Sequence, residues 1–404
     1  MDQTDEGPSI PDTRVLIVGG GLAAARTGEE LRKQGHRGPI AMLSAEPWLP
    51  YDRPPLSKAA LLSGDECTPF KVDYDSLDVA VRLDHRVESV DLATGVATGR
   101  FGQIAFDRLV IATGASPIRA PGPGEQLVLH TLEDATRLRE RLRPGARIVI
   151  IGASWIGAEV ATAARSRGCA VTVIEAGPAP LAQNLGQQIG SLTLPWWDGI
   201  DLRLNSKVAC VEAGEVVLTD GERVPAETVV TGIGVRPEID WLRGTGLELG
   251  RGVHTDHALR TNIEGVVAVG DVASWLSKRF ATRMNTEHWD DASKGAAVAA
   301  ASVISGARSV SVHDPVPYFW SDQFGHKLQY VGHHDTQCRS VVRPSSDGPG
   351  WTVCWYDTDL RLSAVLSVDR VKESIKARRL IADRAAVNVD RIQDSDLELT
   401  GCVA

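Results

Sequence analysis

Arg14-Val15-Leu16-Ile17-Val18-Gly19-Gly20-Gly21-Leu22-Ala23-Ala24 is the stretch on which the reading of this chain turns. Arg14 to Val18 is short and apolar, the pattern of a strand buried on both faces of a parallel sheet. It runs straight into three glycines. Gly19 to Ala24 fits the spacing G-x-G-x-x-G/A. Gly19 permits a tight turn, Gly21 lets the backbone approach a pyrophosphate, and Ala24 is small enough for helix and strand to pack closely. A helical pattern follows to about Gln34, with Gly35 as its C-cap, and Ile40-Ala41-Met42-Leu43 is the next strand. The helix would turn free N–H groups and a positive dipole end toward phosphates. Glu46, just past the second strand, is the carboxylate expected to accept a ribose hydroxyl. A glycine-rich turn alone is weak evidence. Strand, turn, helix, strand and acid in that order define a dinucleotide-binding unit.

The same order returns further along. Arg147-Ile148-Val149-Ile150-Ile151 leads into Gly152-Ala153-Ser154-Trp155-Ile156-Gly157, a helix to Arg167-Gly168, and the strand Ala170 to Ile174. Two such units point to two dinucleotide-binding domains. In the second, Ser154 stands at the middle glycine, placing a Cβ where a phosphate should approach, though its hydroxyl could donate to that phosphate. Glu175 closes the second strand and should hold an adenosine ribose. Ala176 to Leu181 contains no Arg or Lys to neutralise a 2′-phosphate, so NAD is expected over NADP. Two further segments fit a longer ligand such as FAD. Val110-Ile111-Ala112-Thr113-Gly114 reads as a strand ending in a turn, and Val267-Ala268-Val269-Gly270-Asp271 as a buried strand ending in a carboxylate able to reach a polyol.

Composition narrows the class. A chain of 404 residues is long enough for two or three domains, each with its own core. The formal net charge of -9 argues against nucleic acid as a partner. Cysteines at 67, 169, 210, 338, 354 and 402 are too dispersed for a Cys-x-x-Cys or a zinc ribbon, and read as reduced thiols. The acidic start Met1-Asp2-Gln3-Thr4-Asp5-Glu6 is unlike a secretory signal, and no stretch approaches the roughly 20 apolar residues of a membrane helix. A cytoplasmic protein without stable membrane association is expected. His313-Asp314-Pro315-Val316-Pro317 punctuates the chain, and a third domain should follow, ending in a helix near Val371 to Arg384 and a polar tail.

Four more segments carry a resemblance: Leu49-Pro50-Tyr51-Asp52-Arg53-Pro54-Pro55-Leu56-Ser57-Lys58, Thr131-Leu132-Glu133-Asp134-Ala135, Glu287-His288-Trp289-Asp290, and Pro317-Tyr318-Phe319-Trp320-Ser321-Asp322-Gln323. With the double nucleotide pattern, the sequence resembles the NAD-linked ferredoxin reductases that serve oxygenases and cytochromes P450, over nearly its whole length. The resemblance implies FAD in the first unit and NAD in the second. It implies that Lys58 sits beside the flavin N5 edge and pairs with Glu159, where a cation favours anionic reduced flavin and the carboxylate keeps the lysine charged. Arg53 would contact FAD phosphate or ribityl oxygens, Pro54 would pack on the ring, and Asp271 would bind ribityl hydroxyls. Trp289 and Trp320 would border the isoalloxazine, with Glu287 and His288 near the nicotinamide. Ala45, Val87, His130 and Gly232-Ile233-Gly234 are further expected cofactor contacts, although His130 replaces a basic residue often found there in the family. Leu192-Thr193-Leu194-Pro195-Trp196-Trp197 departs from the usual continuous helix, because Pro195 should break it; it reads as a local variation.

The expected fold is therefore α/β: two Rossmann-like dinucleotide-binding domains, glutathione-reductase-like, plus a C-terminal α+β domain. The FAD-binding domain would be discontinuous, residues 1–115 and 236–313, the NAD-binding domain 116–235 and the third 314–404. The implied activity is transfer of a hydride from NADH to FAD, then of single electrons to a transiently docked ferredoxin-type iron–sulfur protein. It requires no metal and no nucleophile. Three other readings compete. A disulfide reductase of the same fold needs a cysteine pair near the flavin, and Cys67 has no neighbour in sequence. An NADH–quinone reductase would lie on a membrane surface. The basic segment Lys372 to Ile381 could suit that, but it suits a ferredoxin dock better and a solvated face best. A flavin-binding protein without turnover is disfavoured by Lys58 and Glu159 together.

Overall fold

The computed structural model describes residues 13–64, 68–345, 348 and 350–404. The acidic start and Cys67 lie outside the described residues. The chain divides into two compact units, Met1–Asp52 with Thr68–Ser116 and Arg236–Tyr318, and Arg53–Cys67 with Pro117–Val235 and Phe319–Ala404.

The first unit is built on Val15–Val18. Four apolar residues in a row favour a strand covered on both faces, and alternation along the strand sends them into two different cores. Val15 and Ile17 pack with Ala24 and Leu31 of the helix Leu22–Lys33 and with Ala299, Ala300 and Val303 of the helix Trp289–Ser305. Leu16 and Val18 pack instead with Val87, Val90 and Ala97 of a small antiparallel meander. Each valine, leucine or isoleucine so buried stabilises the fold by about 1.5–3 kcal/mol. The sheet has five parallel strands, in the order Val266–Ala268, Arg108–Ile111, Val15–Val18, Ile40–Leu43, Val79–Arg82. The strand expected to run to Asp271 stops at Ala268. Gly270–Val272 is a 3-10 turn, because Gly270 takes φ +74° and cannot continue the ladder.

The second unit repeats the plan. Its parallel sheet has the order Asp201–Arg203, Ala170–Ile174, Arg147–Ile151, Thr228–Thr231. Val149 and Ile151 face Val211, Val216 and Val224 of a second antiparallel meander. The same unit holds a five-stranded antiparallel sheet, Tyr318–Gln323, His326–Gly332, Leu362–Val368, Trp351–Tyr356 and Arg339–Pro344 in spatial order, with the helix Val371–Ala382 turning Ala377 and Ile381 inward. The helix before Pro195 ends at Ser191, and Leu194–Trp197 is a 3-10 turn. This is more than a local variation: Trp196 stacks on His326 with ring centroids 4.4 Å apart, and Trp197 meets the edge of Phe324 at 4.8 Å.

The polar tail proves folded. A short helix, Val389–Gln393, and a 3-10 turn, Leu399–Cys402, bury Ile392, Leu399 and Cys402. The cause is Arg343, whose buried guanidinium needs acceptors and finds the carbonyls of Ile392 and Leu397. The basic face of Val371–Ala382 is also partly internal, since Lys376 bridges Glu373 and Glu398. No helix among the described residues is long and apolar enough to cross a membrane.

Candidate functional site: two glycine turns and a buried ion pair

In the first unit the chain leaves Val15–Val18 for Ile40–Leu43 on one side and later returns to Arg108–Ile111 on the other. Loops at the carboxyl ends therefore diverge, and the crevice between them is where such sheets take ligands. Gly19 lies there at φ +138°, and a Cβ on it would stand 2.1 Å from the Ala112 carbonyl oxygen. Gly20 is as constrained, 2.2 Å from Ser44 Oγ, while a Cβ on Gly21 would meet nothing within 4 Å. Gly21 is the N-cap of Leu22–Lys33, and no side chain caps that helix end. Ala23 and Ala24 are buried beneath it, and Gly270 packs so closely on Ala23 that a Cβ would come within 2.9 Å. Gly19, Gly21, Leu22, Ala112 and Gly270 are thus brought to one edge, with Asp271 in the next position. This turn offers open space, backbone N–H groups and a positive helix end, a fit for the pyrophosphate of a dinucleotide.

Around that edge, Glu46 accepts a hydrogen bond from Tyr51 Oη at 2.7 Å, just after Ala45, and Val87 lies within the core. Thr113 Oγ1 donates to the Glu238 carbonyl, and Gly114 accepts from the Glu238 N–H. His288 is the N-cap of Trp289–Ser305, and burial holds its imidazole down to about 4, against Asp291 and Asp290. Trp289 Nε1 donates to Asp52 at 2.7 Å. Burial raises the Glu287 carboxyl, with Arg251, 3.1 Å away, opposing.

The second turn has the same backbone and different chemistry. Gly152 takes φ +98°, where a Cβ would stand 2.5 Å from the Gly232 carbonyl oxygen. Ser154 does not present a free hydroxyl: Oγ donates to that carbonyl at 2.7 Å and accepts the Gly157 N–H at 3.1 Å. Its donor is spent on Gly232 here, so donation to a phosphate, as the sequence suggests, would require that bond to be exchanged. Glu175 reaches back and accepts the N–H groups of Ala153 at 2.8 Å and Gly177 at 2.6 Å. Ile156 and Ile233 are 40% and 39% exposed, apolar surface that a nucleotide would cover. Gly234 takes φ +105° beside Ile118, a neighbour the sequence reading did not single out.

Lys58 follows the 3-10 turn Pro54–Ser57. Its Nζ is 3.0 Å from both carboxylate oxygens of Glu159, which is only 4% exposed. Neither is a surface charge facing water. Glu159 also accepts from Ser57 Oγ, from Ser321 Oγ at 2.6 Å and from the Asp322 N–H at 3.2 Å. These partners were missed, although Ser57 adjoins Lys58 and Ser321 sits in a quoted segment. Arg53 donates to the His130 carbonyl at 2.5 Å. Burial, and then the Arg53 charge, hold His130 down to about 4, so it stays neutral at physiological pH. Next to it, Thr131 and Asp134 form a capping box that starts the helix Leu132–Arg141. Trp320 is half-buried in the strand Tyr318–Gln323. Cys169, Cys210, Cys338, Cys354 and Cys402 are free thiols.

Residues 13–296 match the family described as Pyridine nucleotide-disulphide oxidoreductase, and 318–403 match Reductase C-terminal. The anthranilate 1,2-dioxygenase system ferredoxin–NAD(+) reductase component of Burkholderia cepacia is 34% identical over 399 residues, 95% of this chain and 98% of that one. The crystal structure of Fdr9 superposes with a TM-score of 0.92 at 51% identity, covering 96% of this chain and 99% of that one. The covalent putidaredoxin reductase–putidaredoxin complex contains a chain that matches with a TM-score of 0.89 at 28% identity, covering 96% and 98%. The chain belongs to the pyridine nucleotide-disulphide oxidoreductase family, and within it to the ferredoxin–NAD(+) reductases.

Proposed function

We propose that this protein takes electrons from NADH through FAD to a ferredoxin-type iron–sulfur protein that feeds an oxygenase or a cytochrome P450. The observation that carries the reading is the buried Glu159 carboxylate held against Lys58 in a chain with two dinucleotide turns. Bound FAD supplies the redox chemistry, accepting two electrons from NADH and releasing them singly. The protein binds, orients and neutralises. Residues 1–115 and 236–313 would hold FAD, through Gly19, Gly21 and Asp271, and 116–235 would hold NAD, through Gly152, Ile156 and Glu175. Lys58 is the cation that offsets negative charge gained on reduction, and Glu159 holds it through both carboxylate oxygens. Arg53, His130, Trp289 and Trp320 remain FAD contacts in this reading, with Glu287 and His288 toward the nicotinamide. A cytoplasmic setting, read from the dispersed thiols, belongs to the same proposal.

The test is anaerobic mixing of purified yellow protein with NADH. Flavin absorbance should bleach within the turnover time, and cytochrome c reduction should depend on added ferredoxin. Equal cytochrome c rates without any iron–sulfur carrier would favour a quinone-type reductase, and a protein that binds no flavin would end the proposal.

A further inference from the structure

Glu159 was expected to meet one partner, and it meets four. Lys58 Nζ lies 3.0 Å from each oxygen. Ser57 Oγ donates to Oε2, and Ser321 Oγ at 2.6 Å and the Asp322 N–H at 3.2 Å donate to Oε1. Gln323, itself buried, donates Nε2–H to Ser321 Oγ at 3.0 Å. A hydroxyl has one proton to give, so a donor arriving from Gln323 leaves that proton for Glu159. The amide and the hydroxyl thus form a directed chain of donors that ends on the carboxylate, to which the lysine donates from its other side. Lysine is a point charge on a flexible stem, with three donors that rotate freely, and nothing in its own chemistry fixes where the charge sits. A carboxylate pinned on both oxygens by two separate segments, Pro54–Ser57 and Tyr318–Gln323, does fix it.

We propose that Ser57 and Ser321 are positioning residues for Lys58, holding the Glu159 carboxylate so that the ammonium keeps one place during flavin reduction. This rests on the functional reading given above to Lys58. Ser321 thereby takes part in the reductive half-reaction without itself touching nicotinamide or flavin, unlike its strand neighbour Trp320, read above as a flavin contact. Misplacing a charge by a fraction of an ångström changes a rate without changing how tightly the reactants bind.

The experiment is anaerobic stopped-flow reduction of the FAD-loaded protein by NADH, read as limiting rate and apparent NADH dissociation constant. Ser321→Ala should lower the limiting rate roughly tenfold, the weight of one charge-assisted hydrogen bond, with flavin content and NADH affinity unchanged. Ser57→Ala should act in the same direction, and Ser321→Thr, which keeps the hydroxyl, should restore most of the rate. In a Lys58→Met background Ser321→Ala should cost nothing further, because the serine acts only through the lysine. If Lys58→Met is slow and Ser321→Ala still adds its full loss, the positioning role is overturned while the reading of Lys58 stands. If Lys58→Met alone leaves the rate untouched, the reading of Lys58 itself falls and takes this proposal with it.

Discussion

The two glycine turns share a backbone and differ in what they leave open. Gly21 and Ser154 both adopt extended N-cap geometry, φ -97° and -79°, ahead of twelve-residue helices. Gly19 and Gly152 both have positive φ and both press on a carbonyl at the end of a neighbouring strand, Ala112 in one unit and Gly232 in the other. The first glycine of each motif is therefore a requirement of the fold. The middle position is different. Around Gly21 there is no protein atom for a Cβ to meet, whereas Ser154 caps its own helix and ties the turn to Gly232. In the proposed reading, the first turn leaves its bonding capacity to a ligand, and the second spends part of it on its own side chain.

The largest expected effect separates the two kinds of glycine. Gly19→Ala forces a methyl to 2.1 Å from a carbonyl oxygen at φ +138°, and should destabilise by about 2–4 kcal/mol. Gly157→Ala should behave alike, its methyl falling 2.0 Å from the Gly152 carbonyl oxygen, even though alanine stands at the corresponding place, Ala24, in the first turn. Gly21→Ala should melt within about 1 kcal/mol of the parent and yet lose most of its flavin, because the added methyl meets only the ligand. Thermal midpoints and the ratio of flavin to protein absorbance measure both quantities. Full flavin content in Gly21→Ala would remove that position from the ligand site.

The contrast also marks what the sequence could and could not reveal. Strands and turns were legible because a run such as Val15 to Val18 has no other way to be buried, and because G-x-G spacing is local. The Lys58 and Glu159 pair was legible only through family resemblance, since 101 positions separate the two and no periodicity connects them. Ser57, Ser321 and Gln323 were invisible, because a serine's role depends on which donor and which acceptor reach it after folding. That the polar tail after Ala382 folds was hidden for a related reason. Its charged residues outnumber Ile392, Leu399 and Cys402, and the feature that folds it, the buried Arg343, lies on a distant strand.

Glu175 gives the next largest effect. Its carboxylate holds two backbone N–H groups, one of them inside the glycine turn, so it supports the turn in addition to the ribose contact proposed for it. Glu175→Ala should raise the NADH concentration needed for half-maximal flavin reduction by about tenfold to a hundredfold, while flavin content stays full. Titration by NADH against flavin absorbance checks this directly. An equal loss of flavin and of NADH use would overturn the assignment of the two turns to two different cofactors.

Ser154 gives the smallest effect, and its sign is the informative part. Two contributions are tangled in this side chain, a cap that stabilises the helix and a Cβ that narrows the approach to the turn. Ser154→Ala removes the cap and keeps the Cβ, so it should cost about 1 kcal/mol of stability and leave NADH affinity near that of the parent. Ser154→Gly removes both. It should cost only a few tenths of a kcal/mol, since glycine is a tolerable N-cap, and it returns the Gly157 N–H and the vacated space to the ligand. NADH should then bind about two- to threefold more tightly than to the parent, bringing the second turn closer to the first. Weaker binding in Ser154→Gly would mean that the hydroxyl leaves the Gly232 carbonyl when NADH arrives and donates to the ligand after all, and the difference drawn between the two turns would hold only for the free protein.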